Sequence, residues 1–146
     1  MKKCVGLLLF SFLITCCTRV NREDFHYLNG YWQIEKVVLA NGETKDYSGN
    51  TSYDFFEYKA GTGYRQKVMP QLDGTFETNN IRETYTAVMR DQAALLEYKT
   101  DYAKWNEEIL ELDSLHLVVK NAANLEYHYK RAEPINLIDE SGQKTK

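Results

Sequence analysis

Short stretches in which apolar or aromatic residues alternate with polar ones follow one another along most of the chain, separated by turn residues. A period of two is typical of β-strands that bury one face, and Asn41-Gly42 and Asp73-Gly74 are turn signals between such strands. The pattern predicts eight or nine short strands, at residues 30–39, 53–59, 64–69, 75–78, 82–90, 94–99, 105–112, 115–120 and 125–131.

The spacing of these strands, with turns about every eight to twelve residues, is typical of an all-β domain. None of the connections is long enough for a convincing crossover helix, which favours an antiparallel up-and-down meander, either a closed barrel or a sandwich. Closure removes the exposed edge strands, so we expect a small β-barrel over residues 28–133. Pro134 would end the sheet, and residues 134–146 would form a polar tail.

The register of the last three strands can be predicted from the same alternation. A two-residue turn at Asp113-Ser114 would place Leu112 opposite Leu115, and the next hairpin would pair Lys120 with Asn124. One face of the sheet would then be apolar and the other polar, as in a half-buried antiparallel sheet. The predicted apolar face consists of Leu110, Leu112, Leu115, Leu117, Val119, Leu125, Tyr127 and Tyr129.

The N-terminus departs from the strand pattern. A basic start, Met1-Lys2-Lys3, precedes an apolar run from Val5 to Ile14 of about ten residues, which is too short to span a bilayer. The following Leu13-Ile14-Thr15-Cys16 resembles the lipobox of a bacterial lipoprotein. We therefore predict a lipoprotein signal peptide over residues 1–15, with an ordinary secretory peptide as the alternative.

Lipid attachment at Cys16 would anchor the protein to a membrane. Cys17 is the alternative site, but Leu13 is well suited to the position three residues before Cys16. Two or more acyl chains, such as palmitate, hold a protein stably because each buried methylene contributes about 0.8 kcal/mol. Residues 16–27 would form the lipidated N-terminus and a polar tether. We expect the protein in the cell envelope, at the outer membrane, on its periplasmic or surface side.

Charge and cysteine content narrow the classes of function. The three cysteines are Cys4, Cys16 and Cys17, so the predicted domain has no disulfide, thiol nucleophile or cysteine metal site. The chain has 18 Lys and Arg against 21 Asp and Glu, a net charge of −3, which becomes −5 once Lys2 and Lys3 leave with the signal peptide. Because phosphate binding needs a basic face, we expect no nucleic-acid partner.

Two positions at the ends of the predicted sheet form a pair. Gly30-Tyr31-Trp32 begins the first strand, and Arg131 ends the last. With this pair the chain resembles the lipocalin-like proteins, in which the Trp closes one end of the barrel and the Arg packs across it. More narrowly, it resembles small lipocalin-like lipoproteins of Bacteroidota and flavobacteria. The resemblance spans Leu28 to Arg131, and it implies barrel closure by Gly30, Trp32 and Arg131 around a small apolar or amphipathic ligand.

Five residues are candidate contacts for a ligand or a partner. Arg65 and Lys67 share a face of the third strand, and Glu108 belongs to the predicted apolar face. If all three point inward, a polar or anionic ligand would fit; a solvated edge or a buried ion pair is the alternative. Tyr102 and Trp105 belong to an aromatic connection that would form the barrel mouth or contact a partner, although Trp105 could equally cap the core.

The placement of the histidines and the absence of known catalytic motifs both argue against an enzyme. His116 and His128 would face each other across the last hairpin, but zinc needs three or four protein ligands, so we expect solvated histidines and no metal site. The sequence contains no nucleophile elbow, phosphate loop, zinc-protease motif or dinucleotide fingerprint. We therefore expect a non-enzymatic, ligand-binding lipoprotein without a cofactor. A solid barrel that docks onto another envelope protein is the alternative, and an enzyme with a site in the barrel interior is the third.

Overall fold

The computed structural model describes residues 19–132. The predicted signal peptide, the candidates Cys16 and Cys17, and the predicted tail over residues 134–146 lie outside the described residues. Within the described range, no helix has the length and apolar character that crossing a membrane requires. The elements are a 3₁₀ helix (Arg22–Leu28) and the strands β1 (Gly30–Val38), β2 (Thr44–Asp46), β3 (Tyr53–Lys59), β4 (Thr62–Pro70), β5 (Phe76–Thr78), β6 (Glu83–Arg90), β7 (Ala93–Lys99), β8 (Lys104–Leu112), β9 (His116–Asn121) and β10 (Glu126–Arg131).

Eight of the strands form a closed antiparallel barrel. Their order is β10-β9-β8-β7-β6-β4-β3-β1, and β1 pairs back onto β10, which closes the ring. The two short strands β2 and β5 pair with β1 and β4 outside this ring. The predicted all-β fold, an up-and-down meander that closes into a barrel, is confirmed.

β2 lies in a segment that the pattern does not predict as a strand. The Asn41-Gly42 turn connects β1 to β2, and the Gly42 amide donates to the Leu39 carbonyl over 2.8 Å. All three residues of β2 are exposed. Because its burial does not alternate, the sequence pattern carries no signal for this strand. Only its backbone pairing with β1 identifies it.

One end of the barrel, which we call the closed end, is covered by the 3₁₀ helix. Phe25 and Leu28 are buried there, and the helix packs against β3, β6 and β8. Val20 joins the same core. The predicted polar tether over residues 16–27 is therefore wrong from Val20 onward. Isolated apolar side chains among polar neighbours escape a pattern search, but here they meet at the end of the barrel and fill it.

Side chains fill the half of the barrel next to the closed end. Successive residues of a strand point to opposite faces, so every second residue contributes to this interior. Burying each large apolar side chain contributes about 1.5–3 kcal/mol, and the packed half therefore stabilises the whole barrel. The fully buried side chains there include Trp32, Phe56, Leu96, Leu117 and Val119.

The hairpin between β8 and β9 differs from the predicted one. Leu112 pairs with Leu117, not with Leu115. Asp113 holds the longer loop in place, because its carboxylate accepts hydrogen bonds from the amides of Leu115 and His116 over 2.6 and 2.7 Å. Leu115 was predicted on the apolar face, but it lies in this loop and is 59% exposed.

A β-bulge at Leu110 changes which side chains of β8 point inward. The pairing of β8 with β9 shifts between Ile109 and Glu111, which makes Leu110 an extra residue. An extra residue reverses the alternation on one side of the bulge relative to the other. Glu107 and Ile109 are consequently buried, whereas Glu108 and Leu110 are not. The predicted inward orientation of Glu108 is wrong for this reason.

β9 and β10 pair two residues away from the predicted register. Lys120 lies opposite Glu126 instead of Asn124. An offset of two residues leaves each side chain on its predicted face, because side chains alternate with a period of two. Leu117 and Tyr129 are therefore buried, as the alternation predicts.

Candidate functional site

At the closed end, Arg131 connects three segments of the chain. Its guanidinium carbon lies 3.8 Å from the ring centroid of Trp32. Its N–H groups donate to the backbone carbonyls of Tyr27, Asn29 and Ser114 over 2.7, 2.7 and 3.0 Å. A guanidinium over an indole gains cation–π energy, and the hydrogen bonds satisfy carbonyls that would otherwise lose their contact with water.

Gly30 leaves the space that this arrangement needs. Its φ is +118°, and a Cβ built there would lie 2.8 Å from Nη1 of Arg131. The indole Nε1 of Trp32 donates to the carbonyl of Leu28 over 2.9 Å, which ties the first strand to the 3₁₀ helix. The structure thus brings Gly30, Trp32 and Arg131 together, as the sequence resemblance implies, in a contact that joins the helix to the first and last strands.

A cavity of about 520 Å³ occupies the other half of the barrel. We call this end the open end; the connections between β1 and β3, β4 and β6, β7 and β8, and β9 and β10 surround it. A volume of this size lies within the range of small-molecule sites. Its apolar lining includes Ile34, Val37 and Ile81, and its charged lining consists of Asp54, Arg65, Lys67, Glu83 and Glu107.

Arg65 lies between the packed half of the barrel and the cavity. Its Nε donates to Oε2 of Glu83 over 2.7 Å, and its Nη1 donates to Oε2 of Glu107 over 3.2 Å. Its guanidinium carbon also lies 4.7 Å from the ring centroid of Tyr98 and 6.0 Å from that of Phe56, both of which belong to the core. Arg65 therefore forms the floor of the cavity, and its two carboxylate partners compensate its buried charge.

Two buried phenols lie beside this floor. Tyr129 lines the cavity together with Asp54. The hydroxyl of Tyr98 is buried and has no hydrogen-bond partner among the described residues. Burial raises the pKa of both phenols well above the usual value for tyrosine. Both therefore stay neutral at physiological pH and keep a proton that they can donate.

Lys67 lies near the cavity mouth. Its Nζ is 3.0 Å from Oδ1 of Asp54, and its side chain is 55% exposed, whereas that of Asp54 is 9% exposed. Solvent screens an ion pair that involves such an exposed partner, so it contributes little to stability. Lys67 can therefore leave Asp54 at small cost, whereas Asp54 stays in the cavity wall.

Of the five candidate contacts predicted from the sequence, the structure brings only Arg65 and Lys67 to this cavity. Glu108 lies opposite Lys120 on the outer face of the sheet. Glu107 occupies the inward position that was expected for Glu108. The predicted trio of Glu108 with Arg65 and Lys67 is therefore wrong. Arg65 has a glutamate partner on β8, but the bulge makes it the preceding residue.

The two aromatic candidates are separated from each other. Trp105 is half-buried and stacks on Tyr98, with ring centroids 4.9 Å apart and planes 8° from parallel, outside the cavity lining. Tyr102 is 99% exposed in the connection between β7 and β8. Trp105 thus packs on the core, and Tyr102 alone of the two is free to contact another molecule at the rim.

The cavity lining contains three carboxylates and three phenols that are absent from the sequence-based candidates: Asp54, Glu83, Glu107, Tyr47, Tyr127 and Tyr129. A signal for the first was present, because Asp54 alternates with Phe56 on the inward face of β3. A charged residue on an otherwise apolar face is a candidate for an interior site. Glu83 is the first residue of β6, so no alternating residues precede it in the strand to indicate whether its side chain points inward.

The histidines do not form the predicted pair. His116 lies opposite Lys130, and His128 lies opposite Val118, because the hairpin register differs by two residues from the predicted one. The Nδ1 atom of His116 lies 3.3 Å from Oδ2 of Asp113, where the side chains of both residues are about half exposed. The two histidines are therefore separate, and neither lines the cavity.

A structural similarity links the chain to a known protein, whereas sequence comparisons find none. No family profile matches the chain, and no curated protein matches it. The chain is similar to a lipocalin-like protein from Bacteroides uniformis, with a TM-score of 0.46 and 11% sequence identity over 73% of this chain and 99% of that chain.

Proposed function

We propose that this protein binds one small amphipathic molecule in the cavity at the open end of the barrel. The observation that carries the proposal is the division of the barrel into a packed half and a cavity of about 520 Å³. Eight-stranded barrels can be filled completely by side chains, or they can hold one small ligand. Here the filling stops at Arg65, and an open space begins above it.

The lining favours a ligand with one polar and one apolar part. The floor carries Arg65 and Glu107, and the walls nearer the rim carry Val37 and Ile81. A purely apolar ligand would cover the charged floor without offering it a partner, which costs free energy. A ligand with a polar head toward the charged floor and an apolar tail toward the rim avoids this cost.

The proposed role is non-enzymatic. Glu107 is already held by Arg65, and Asp54 is held by Lys67. The raised pKa values of the two buried phenols make them poor general bases near neutral pH. These groups are suited to hold and orient a bound molecule.

We also propose that the lipid anchor at Cys16, or at the alternative Cys17, sets the orientation of the barrel. Arg19, the first described residue, hydrogen-bonds Gln92 in the turn between β6 and β7 at the closed end. Cys16 precedes Arg19 by three residues, a reach of about 10 Å. The closed end would then face the membrane, and the cavity would open away from it.

Native mass spectrometry of residues 18–146, purified from a bacterial periplasm, tests the ligand-binding proposal. We expect a reproducible adduct of a few hundred daltons that is lost on denaturation. An Ile34→Trp variant places a large ring in the cavity wall and should lose the adduct while keeping the circular dichroism of the barrel. An adduct that survives in this variant would contradict binding inside the cavity.

A docking role is the second candidate function, and the rim favours it. Leu72, Ile81 and Tyr102 are 84, 61 and 99% exposed in the open-end connections. Large apolar side chains in such positions are typical of protein contact sites. Crosslinking in the native envelope, compared between the natural protein and a Leu72→Ser/Tyr102→Ser variant, tests this: loss of one defined crosslinked protein is expected if the rim docks.

A further inference from the structure

The charges that line the cavity do not balance. Three carboxylates, those of Asp54, Glu83 and Glu107, face two cations, Arg65 and Lys67, among the described residues of the lining. One carboxylate is therefore without a cation of its own. A charge left uncompensated in a partly desolvated site is costly, and a ligand of opposite charge relieves that cost.

Glu83 and Glu107 share Arg65, and the missing positive charge affects Glu107 most, because Glu107 is the more buried of the two. Glu83 holds the Nε at 2.7 Å and its side chain is 32% exposed, so water solvates it as well. Glu107 has the longer contacts, because Nη1 of Arg65 lies 3.2 Å from its Oε2 and 3.4 Å from its Oε1, and its side chain is only 7% exposed. Glu107 thus has the weaker hold on Arg65 and the poorer access to water.

Asp54 is a second acceptor in the lining of the same cavity. Its cation, Lys67, is mostly exposed and can turn outward to solvent. Asp54, Glu107 and Tyr129 all line the same cavity. Two buried carboxylates with one neutral phenol form a set of acceptors that suits a compact cationic donor.

We infer that the polar head of the ligand is cationic, a protonated primary amine that binds Glu107 and Asp54 beside Tyr129. This inference rests on the proposed ligand-binding function of the cavity. An anionic head would bring a further negative charge to an arginine that already serves two carboxylates. A neutral head would leave the carboxylate of Glu107 undercompensated. The apolar part of the amine would lie along Ile34 and Val37 toward the rim.

Three probes with the same ten-carbon chain test the charge of the head. Decylamine is protonated at pH 7, as a lysine ammonium is; decanol is neutral, and decanoate is anionic. Isothermal titration of residues 18–146 at one ionic strength, below the micelle concentration of each probe, gives three affinities. We expect decylamine to bind at one site at least about tenfold more tightly than decanol, and decanoate to bind most weakly.

Two neighbouring glutamates provide a matched pair of variants. Glu107→Gln removes the inward charge and keeps the shape of the side chain, so decylamine should lose about tenfold in affinity while decanol stays within twofold. Glu108→Gln removes the same charge from the outer face and should change neither. Equal losses in both variants would assign the amine preference to the net charge of the protein and would overturn the inference.

The unaltered protein decides the question even if a variant fails to fold. Decanol or decanoate binding as tightly as decylamine would overturn the cationic head and leave ligand binding in the cavity standing. If none of the three probes binds and the periplasmic protein carries no adduct, the proposed function itself fails. Asp54→Asn is the second variant, with an expected decylamine loss in the same direction as that of Glu107→Gln.

Discussion

At the scale of single residues, Arg65 links the stability of the fold to the site. It stacks on core aromatics and pairs with two carboxylates, so it belongs to the packed half and to the cavity at once. Glu107 depends on it most, because the side chain of Glu107 has little access to water. The same contact therefore holds the floor of the cavity and prevents a buried charge from being left alone.

Arg65→Leu should destabilise the barrel by about 3–5 kcal/mol, because it leaves Glu107 buried without its cation. Adding Glu107→Leu to this variant should recover a large part of the loss, since replacing both partners of a buried pair by apolar groups is often close to neutral. Urea unfolding of the two single variants and the double variant measures this. Additive losses in the double variant would show that the two side chains do not depend on each other.

The buried phenols predict how stability changes at alkaline pH. Burial raises the pKa of Tyr85, Tyr98 and Tyr129 in the folded state above the ordinary value of about 10 that the unfolded chain keeps. A raised folded-state pKa contributes stability that is complete below the unfolded pKa and is lost as pH rises through the folded-state values. The free energy of unfolding should therefore fall above about pH 10.

Absorbance at 295 nm, recorded together with circular dichroism, checks this expectation. Of the eleven tyrosines, these three should ionise only when the barrel unfolds, so their absorbance change should coincide with the loss of circular dichroism. The chain in guanidinium chloride is the control, and all of its tyrosines should titrate near pH 10. Complete titration of the folded protein at that pH would contradict the assignment.

At the scale of elements, the sequence predicts strands well where alternation is uninterrupted. The strands expected at 82–90 and 94–99 are β6 and β7, displaced by one residue at their starts, because inward residues such as Ala87 and Leu96 recur at every second position. The 3₁₀ helix escapes because Phe25 and Leu28 lie among polar residues. Phe25 and Leu28 are three residues apart and share one face of the 3₁₀ helix, but a single such pair is too short a pattern to predict a helix.

The candidate site was less predictable than the fold for one physical reason. Arg65 and Lys67 follow from alternation within β4, but the identity of the inward glutamate depends on the bulge at Leu110. A bulge is set by pairing with a neighbouring strand and by the loop that follows, so it has no local sequence signal. A shift of one position exchanged Glu108 for Glu107 as the partner of Arg65.

Substitutions of two leucines in the β8–β9 hairpin test the register in which these strands pair. Leu115 is exposed in the loop that Asp113 holds, whereas Leu117 is buried in the core. Leu115→Ser should change the free energy of unfolding by less than about 0.5 kcal/mol. Leu117→Ala should cost about 2–5 kcal/mol, because it leaves a cavity among packed side chains. Urea unfolding of both variants decides, and a comparable loss for the two would contradict the observed register.

At the scale of the whole molecule, the two ends of the barrel carry different structural features. The closed end carries the 3₁₀ helix, the contact of Arg131 with Trp32, and the start of the described chain at Arg19. The open end carries the cavity and the exposed aromatic Tyr102. A lipid attached a few residues before Arg19 would therefore hold the closed end close to the membrane, with the cavity on the far side.

This orientation predicts a difference between two fluorescent labels on the lipidated protein in vesicles. In a Cys17→Ser background, Ser114→Cys labels the closed end and Tyr102→Cys labels the open end, about 25 Å farther along the strands. Lipids with a nitroxide on the headgroup quench only nearby fluorophores, so quenching should be strong at position 114 and weak at 102. Stronger quenching at position 102 would contradict the orientation, and equal quenching would mean that the short connection does not orient the barrel.

Retention of the lipid in the Cys17→Ser background tests Cys16 as its site, because a chain lipidated at Cys17 would lose the anchor.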